Sequence, residues 1–129
     1  TMITEHNTLS KSERLNKKLV IDRLFAGGSK SLLAFPLRVV YMPVEPEGER
    51  TSILISVPKK RFRRAVKRNR VKRQVREAYR KNKFTLLHVL EEKGVCLALA
   101  FIWLDDKLYA SEVVEEKMKN LLARIAEKL

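Results

Sequence analysis

The residues best placed to do chemistry in this 129-residue chain are cations set close together. From Lys59 to Lys83 the sequence reads KKRFRRAVKRNRVKRQVREAYRKNK, which holds 14 of the 28 Lys and Arg residues and one acid, Glu77. Elsewhere acids and bases balance, so the formal charge of +13 belongs to this stretch. A dense positive strip draws in polyanions, gains free energy from counterion release and binds with an affinity that falls steeply with salt. It also repels itself, which argues for an anionic partner. Arg supplies a planar fork for bidentate phosphate contacts, and Lys a compact charge. Asn69, a neutral amide amid these cations, offers a donor and an acceptor. That suits a base edge, a 2′-hydroxyl or a metal-bound water.

Other chemistries are thinly represented. His6 and His88 have no partner at a useful spacing. Cys96 sits inside an apolar run, where a free thiol acts as a small hydrophobe. Asp105 and Asp106 are neighbours and read as a turn. Gly27–Gly28 opens no phosphate-binding loop. By the criteria of nucleophile, base and orienting group, no active site is expected on this chain alone. A single cysteine rules out a disulfide framework and points to a reducing cytoplasm. The longest apolar run, Val95 to Leu104, is too short to span a bilayer, and no secretory-type segment opens the sequence.

The elements that must position the cations follow from periodicity. Arg64 to Asn82 contains no Gly or Pro. At about 100° per residue, Val71, Val75, Ala78 and Tyr79 share one side, and Asn69, Lys72, Arg73, Arg76 and Arg80 share the other. Arg68 and Arg70 flank the apolar stripe. The spacing predicts an amphipathic helix that packs inward and shows a basic face outward. Before it, residues 1–11 read as a loose lead-in. A short helix is expected from an Asn16 cap through Val20, Ile21, Leu24 and Phe25, ending at Gly27–Gly28. Ala34 to Met42 alternates as a strand, with Pro36 marking an edge or a strand start. Thr51 to Val57 reads as a second strand, and its short connection to the first predicts antiparallel pairing of the two. Ser29 to Leu33 offers a further short strand. After the basic helix come a helical turn closed by Gly94, a central strand from Val95 to Leu104, and a final helix capped by Ser111. Val114, Met118, Leu121, Leu122 and Ile125 form its buried stripe. The order α–β–β–α–β–α predicts one domain spanning 1–129, an α+β sandwich with a small sheet covered by helices.

The string RNRVKRQVR, Arg68 to Arg76, closely resembles the signature of the bacterial ribonuclease P protein family. Arg68, Asn69, Arg70, Val71, Lys72, Arg73 and Arg76 match it in register. The preceding SVPKKRFRRAVK matches too, with Lys59 and Lys60 as the paired lysines and Pro58 departing from the usual small residue. VIDRLFAGG resembles the family's first helix, with Phe25 and Gly28 in place and Ile21 replacing an aromatic often found one turn earlier. The resemblance spans about Leu15 to Ile125. It implies a ribosomal-protein-like fold, a mostly antiparallel sheet, and a left-handed βαβ crossover around the basic helix.

It further implies a cytoplasmic ribonucleoprotein in which this subunit joins a catalytic RNA. That RNA holds the magnesium ions (Mg2+) that hydrolyse the 5′ leader from precursor tRNA. On this sequence, Arg68, Arg70, Lys72, Arg73 and Arg76 would neutralise phosphates of the RNA. Asn69 would orient a backbone or hydrated-metal contact, and Lys59, Lys60 and Arg64 would extend the surface. Ile21, Phe25, Phe35 and Arg38 would line a leader cleft, where an aromatic stacks on a base and Arg meets a phosphate. The resemblance calls for no obligate protein partner and no membrane. A structural RNA-binding protein of ribosomal type is the alternative. A DNA-binding module ranks third, since no dimerising heptad or helix-turn-helix accompanies the basic helix.

Overall fold

The computed structural model describes residues 18–25, 29–45 and 50–129. The lead-in 1–11, His6, the Asn16 cap, the Val20 side chain and Gly27–Gly28 lie outside the described residues. The order is α1 (Lys18–Phe25), β1 (Lys30–Ala34), β2 (Leu37–Val44), β3 (Thr51–Ser56), α2 (Ala65–Asn82), α3 (Phe84–Lys93), β4 (Cys96–Trp103) and α4 (Ser111–Lys128).

The uninterrupted apolar run of β4 is explained by its place. The sheet order is β1-β2-β4-β3, so β4 has a strand on each side and helices over both faces. On one face Leu97, Leu99, Phe101 and Trp103 join Leu37, Val39, Tyr41 and Ile53. There they meet Val71, Val75, Ala78 and Tyr79 of α2, Leu86 and Leu90 of α3, and the whole expected stripe of α4. On the other face Ala98 and Ala100 join Val40 and Met42 beneath Leu24 of α1. Small residues there let one short helix approach closely.

The structure corrects three expectations. The strands at 37–44 and 51–56 do not pair with each other: β4 lies between them, antiparallel to β2 and parallel to β3. A short connection fits adjacent strands, but the apolar run of β4 needs the central slot more. The run Ala34 to Met42 is also not one strand. Ala34 ends β1, Phe35–Pro36 forms a turn with a cis peptide bond, and β2 starts at Leu37. Because β1 takes the edge, β2 is internal. Ser111, finally, is the first residue of α4 rather than its cap; the cap position is Ala110, without a side-chain bond. The Ser111 hydroxyl instead accepts from Gln74 Nε2 at 3.2 Å.

The helical turn after α2 is a full helix. Lys83 has helical backbone angles, and its side chain is buried at the α2–α3 junction with the ammonium 5.7 Å from the Phe84 ring centre. Gly94 ends α3 in the left-handed conformation (φ 67°). There a side chain would be strained, as at many helix C-termini. The β3–α2–α3–β4 segment thus brings two parallel strands together around the basic helix.

Two polar contacts fix the packing. The Tyr79 and Thr51 hydroxyls share a buried hydrogen bond of 2.6 Å that ties α2 to β3. Tyr79→Phe is expected to lower stability by about 1–2 kcal/mol, read as a lower urea midpoint at unchanged slope. In the loop after β4, the Tyr109 hydroxyl donates to Asp105 at 2.5 Å and the Asp106 N–H donates to the same carboxylate. The Tyr109 bond is the main reason the Asp105 carboxyl lies below its ordinary value, and it pushes the Tyr109 hydroxyl up. The Asp105 contribution is therefore present above about pH 4 and lost as pH falls through its lowered pKa. That of Tyr109 is present below about pH 10 and lost as pH rises through its raised one. Tyr109→Phe should return the Asp105 carboxyl toward its ordinary titration by NMR; an unchanged midpoint would remove the Tyr109 bond as its cause.

Candidate nucleic-acid interface

Helix α2 faces the core through the four residues its periodicity marks, while most of its cations turn toward solvent. Val71, Val75, Ala78 and Tyr79 are buried. Asn69, Arg70, Arg73 and Arg76 are exposed, and Lys72 is half-buried. The one acid of the stretch, Glu77, is engaged by Arg80 at 2.7 Å. The other outward cations of α2, with Lys59, Lys60 and Arg64 before it, make no ion pair with any described residue. Among the described residues, then, no other acid neutralises this basic field.

The start of α2 sharpens this field. Its first turn holds no acid, and its cap, Arg64, gives no side-chain bond to the free backbone N–H groups. Helix N-termini carry partial positive charge and favour anions. Here the loop from Lys59 to Arg64 adds cations at that end. Three contacts hold the loop. Phe62 is buried in the main core, Arg61 pairs with Asp106 at 3.5 Å, and the Arg61 N–H bonds the Pro58 carbonyl at 3.0 Å. Arg68 is half-buried, and its Nη1 donates to the carbonyls of Phe62 at 2.7 Å and Arg63 at 2.8 Å.

The expected cleft residues fall on the α1 face of the sheet. Strand pairing aligns Leu33, Arg38, Ile102 and Ser56 in one row across all four strands. Arg38 is exposed, with Nε donating to the Ser31 hydroxyl at 2.8 Å. Phe35, in the turn beside this row, is 52% exposed, and Leu33 equally so. Phe25, on the helix over the same face, is 51% exposed. Ile21 differs: it is half-buried and packs against the cluster beneath α1. The row ends at Ser56, where β3 leads through Pro58 to Lys59 and Lys60. The row of expected cleft residues and the basic loop therefore meet at one end of the sheet.

Some residues here were not singled out by sequence. Arg63 and Lys67 are exposed cations of the same field. Helical phase alone could have included Lys67. Val66, 79% exposed in the first turn of α2, is an apolar residue that only the orientation of the helix reveals. The Arg61–Asp106 pair joins segments far apart in the chain and left no sequence signal. Among the described residues no cluster of three His, Cys, Asp or Glu could hold a metal ion, and no helix is long and apolar enough to cross a membrane.

Known proteins are similar to this chain in sequence and fold. The Ribonuclease P family model matches residues 9–126. The ribonuclease P protein component of Porphyromonas gingivalis is 50% identical over 119 residues, covering 92% of this chain and 86% of that protein. The RNase P protein from Thermotoga maritima superposes with a TM-score of 0.66 at 26% identity, covering 87% of this chain and 96% of that one. A Staphylococcus aureus RNase P protein mutant has a TM-score of 0.70 at 22% identity, with 91% and 90% covered, a likeness of fold. With the motif in register on the outer face of α2 and the match running over nearly its whole length, the chain belongs to the ribonuclease P protein family.

Proposed function

We propose that this chain acts in the cytoplasm as the protein subunit of ribonuclease P, binding the catalytic RNA and the 5′ leader of precursor tRNA. The observation that carries the reading is the outer arc of α2, a run of cations whose only acid is already paired within the helix. Arg70, Lys72, Arg73 and Arg76, with Lys59, Lys60 and Arg64, meet phosphates of the catalytic RNA. Asn69 gives the RNA an amide donor and acceptor among fixed charges.

The leader, a single strand, crosses the row from Leu33 to Ser56. Arg38 meets a phosphate, and Phe25 and Phe35 offer ring faces to unstacked bases. Ile21 contributes apolar support under α1 in place of a stacking ring. Since the row runs into Lys59 and Lys60, a leader lying there emerges beside the RNA-binding surface. The protein holds two polyanions next to each other and screens their repulsion, which lowers the magnesium concentration needed for cleavage.

Magnesium supplies metal-assisted hydrolysis of the phosphodiester. The donors on the basic face do not suit that ion, because their one carboxylate is engaged by Arg80. The ion is accordingly assigned to the partner RNA.

The test is cleavage of a 5′-extended precursor tRNA at low millimolar magnesium by the cognate catalytic RNA, with and without this chain, and by the chain alone. Correctly placed cleavage stimulated only in the mixture is expected. Tight RNA binding without stimulation would instead favour a structural RNA-binding protein. Within the holoenzyme, Phe25→Ala should cost about 1 kcal/mol or more in binding precursor tRNA, with little change for mature tRNA. Equal losses on the two would remove Phe25 from the leader cleft.

A further inference from the structure

The loop from Pro58 to Arg64 faces a mechanical difficulty: Lys59, Lys60, Arg61, Arg63 and Arg64 crowd it with like charge, and no side chain caps the helix that follows. Its carbonyls answer part of this. Those of Phe62 and Arg63 both turn toward Arg68, one turn into α2, and receive two hydrogen bonds from the single nitrogen Nη1. Both hydrogens of that nitrogen are spent on the loop. Hydrogen bonds from a charged donor are the stronger kind. Arg68 thus spends binding capacity inside the protein, whereas Arg70 and Arg73 are exposed.

We infer that Arg68 is a positioning residue, which clamps the Phe62 and Arg63 carbonyls and so sets Lys59, Lys60 and Arg63 in the arrangement that meets RNA phosphates. The inference rests on the reading of this loop as an RNA-binding surface. It changes what Arg68 contributes: its effect on RNA affinity passes through the loop rather than through one phosphate contact of its own. A clamp at the base of the loop also spares RNA binding the cost of ordering several long cationic side chains from a splayed backbone.

A double-mutant cycle on the full chain separates the two roles. Affinity for the catalytic RNA is measured for Arg68→Ala in the wild-type chain and in the Lys59→Ala/Lys60→Ala chain. A positioning role predicts a loss of about tenfold or more in the first and at most about twofold in the second, a coupling within the range seen for interacting residues. The log–log salt slope should fall by more than about one unit in the first, since several phosphate contacts go together. Equal losses in both chains would overturn the positioning role while leaving the RNA surface intact. Unchanged affinity of Lys59→Ala/Lys60→Ala alone would overturn the inference together with the loop's assignment to RNA.

Hydrogen exchange without RNA provides a second arm. Arg68→Ala should speed exchange at Arg61 and Lys67, whose amides bond within the loop and the first turn of α2, and leave β4 unchanged. Unaltered exchange at both amides would overturn the clamp. Should Arg68→Ala fail to fold, Arg68→Lys runs the same cycle and exchange measurement, because it keeps the charge on a side chain one bond shorter.

Discussion

The apolar stripe of α2 must hold down a helix that its own charge would push away. Half of the basic residues of the protein lie within 25 positions, and salt only partly screens their mutual repulsion. Against this stand Val71, Val75, Ala78 and Tyr79, all buried, with the Tyr79 hydroxyl bonded to Thr51 in β3. Burying a Val side chain is worth about 1.5 kcal/mol or more, and the stripe is continuous with the core formed by α4 and the sheet. Packing fixes the rotation of the helix about its axis. Once that rotation is set, the cations can only face outward.

The sheet separates two exposed surfaces. Its more heavily covered face carries α2, α3 and α4 and supports the cationic surface. Among the described residues its other face carries α1 alone, which stands over small residues of β4 and leaves Leu33, Phe35 and Arg38 exposed. One strand serves both: β4 gives large side chains to the first face and Ala98 and Ala100 to the second. The loop between β3 and α2 is where the two surfaces meet.

Much of this was legible because it rested on short-range periodicity. The 3.6-residue spacing of α2 and α4 marked their buried residues correctly, and the unbroken apolar run of β4 marked its central place. What escaped was set by long-range competition. The turn at Phe35–Pro36 hid within a run that alternates well enough to read as one strand. The pairing of 37–44 with 51–56 failed because a later segment had the stronger claim to the middle of the sheet. At the site, the motif identified the cations but not their directions. That Arg68 turns to the Phe62 and Arg63 carbonyls while Arg70 faces solvent depends on a loop whose course no spacing rule specifies.

The sheet order also dictates a sequence of events during synthesis. The β1–β2 hairpin is local and can form as soon as Val44 has emerged, but β3 has no strand to pair with until β4 is made, some 40 residues later. The intervening chain is the basic stretch and α3. The most charged part of the molecule therefore leaves the ribosome after β3 but before β4, the strand that closes the fold around it. Native contacts so distant in sequence slow folding. For that interval the nascent segment is a polycation without its native packing, held beside the RNA of the ribosome that makes it.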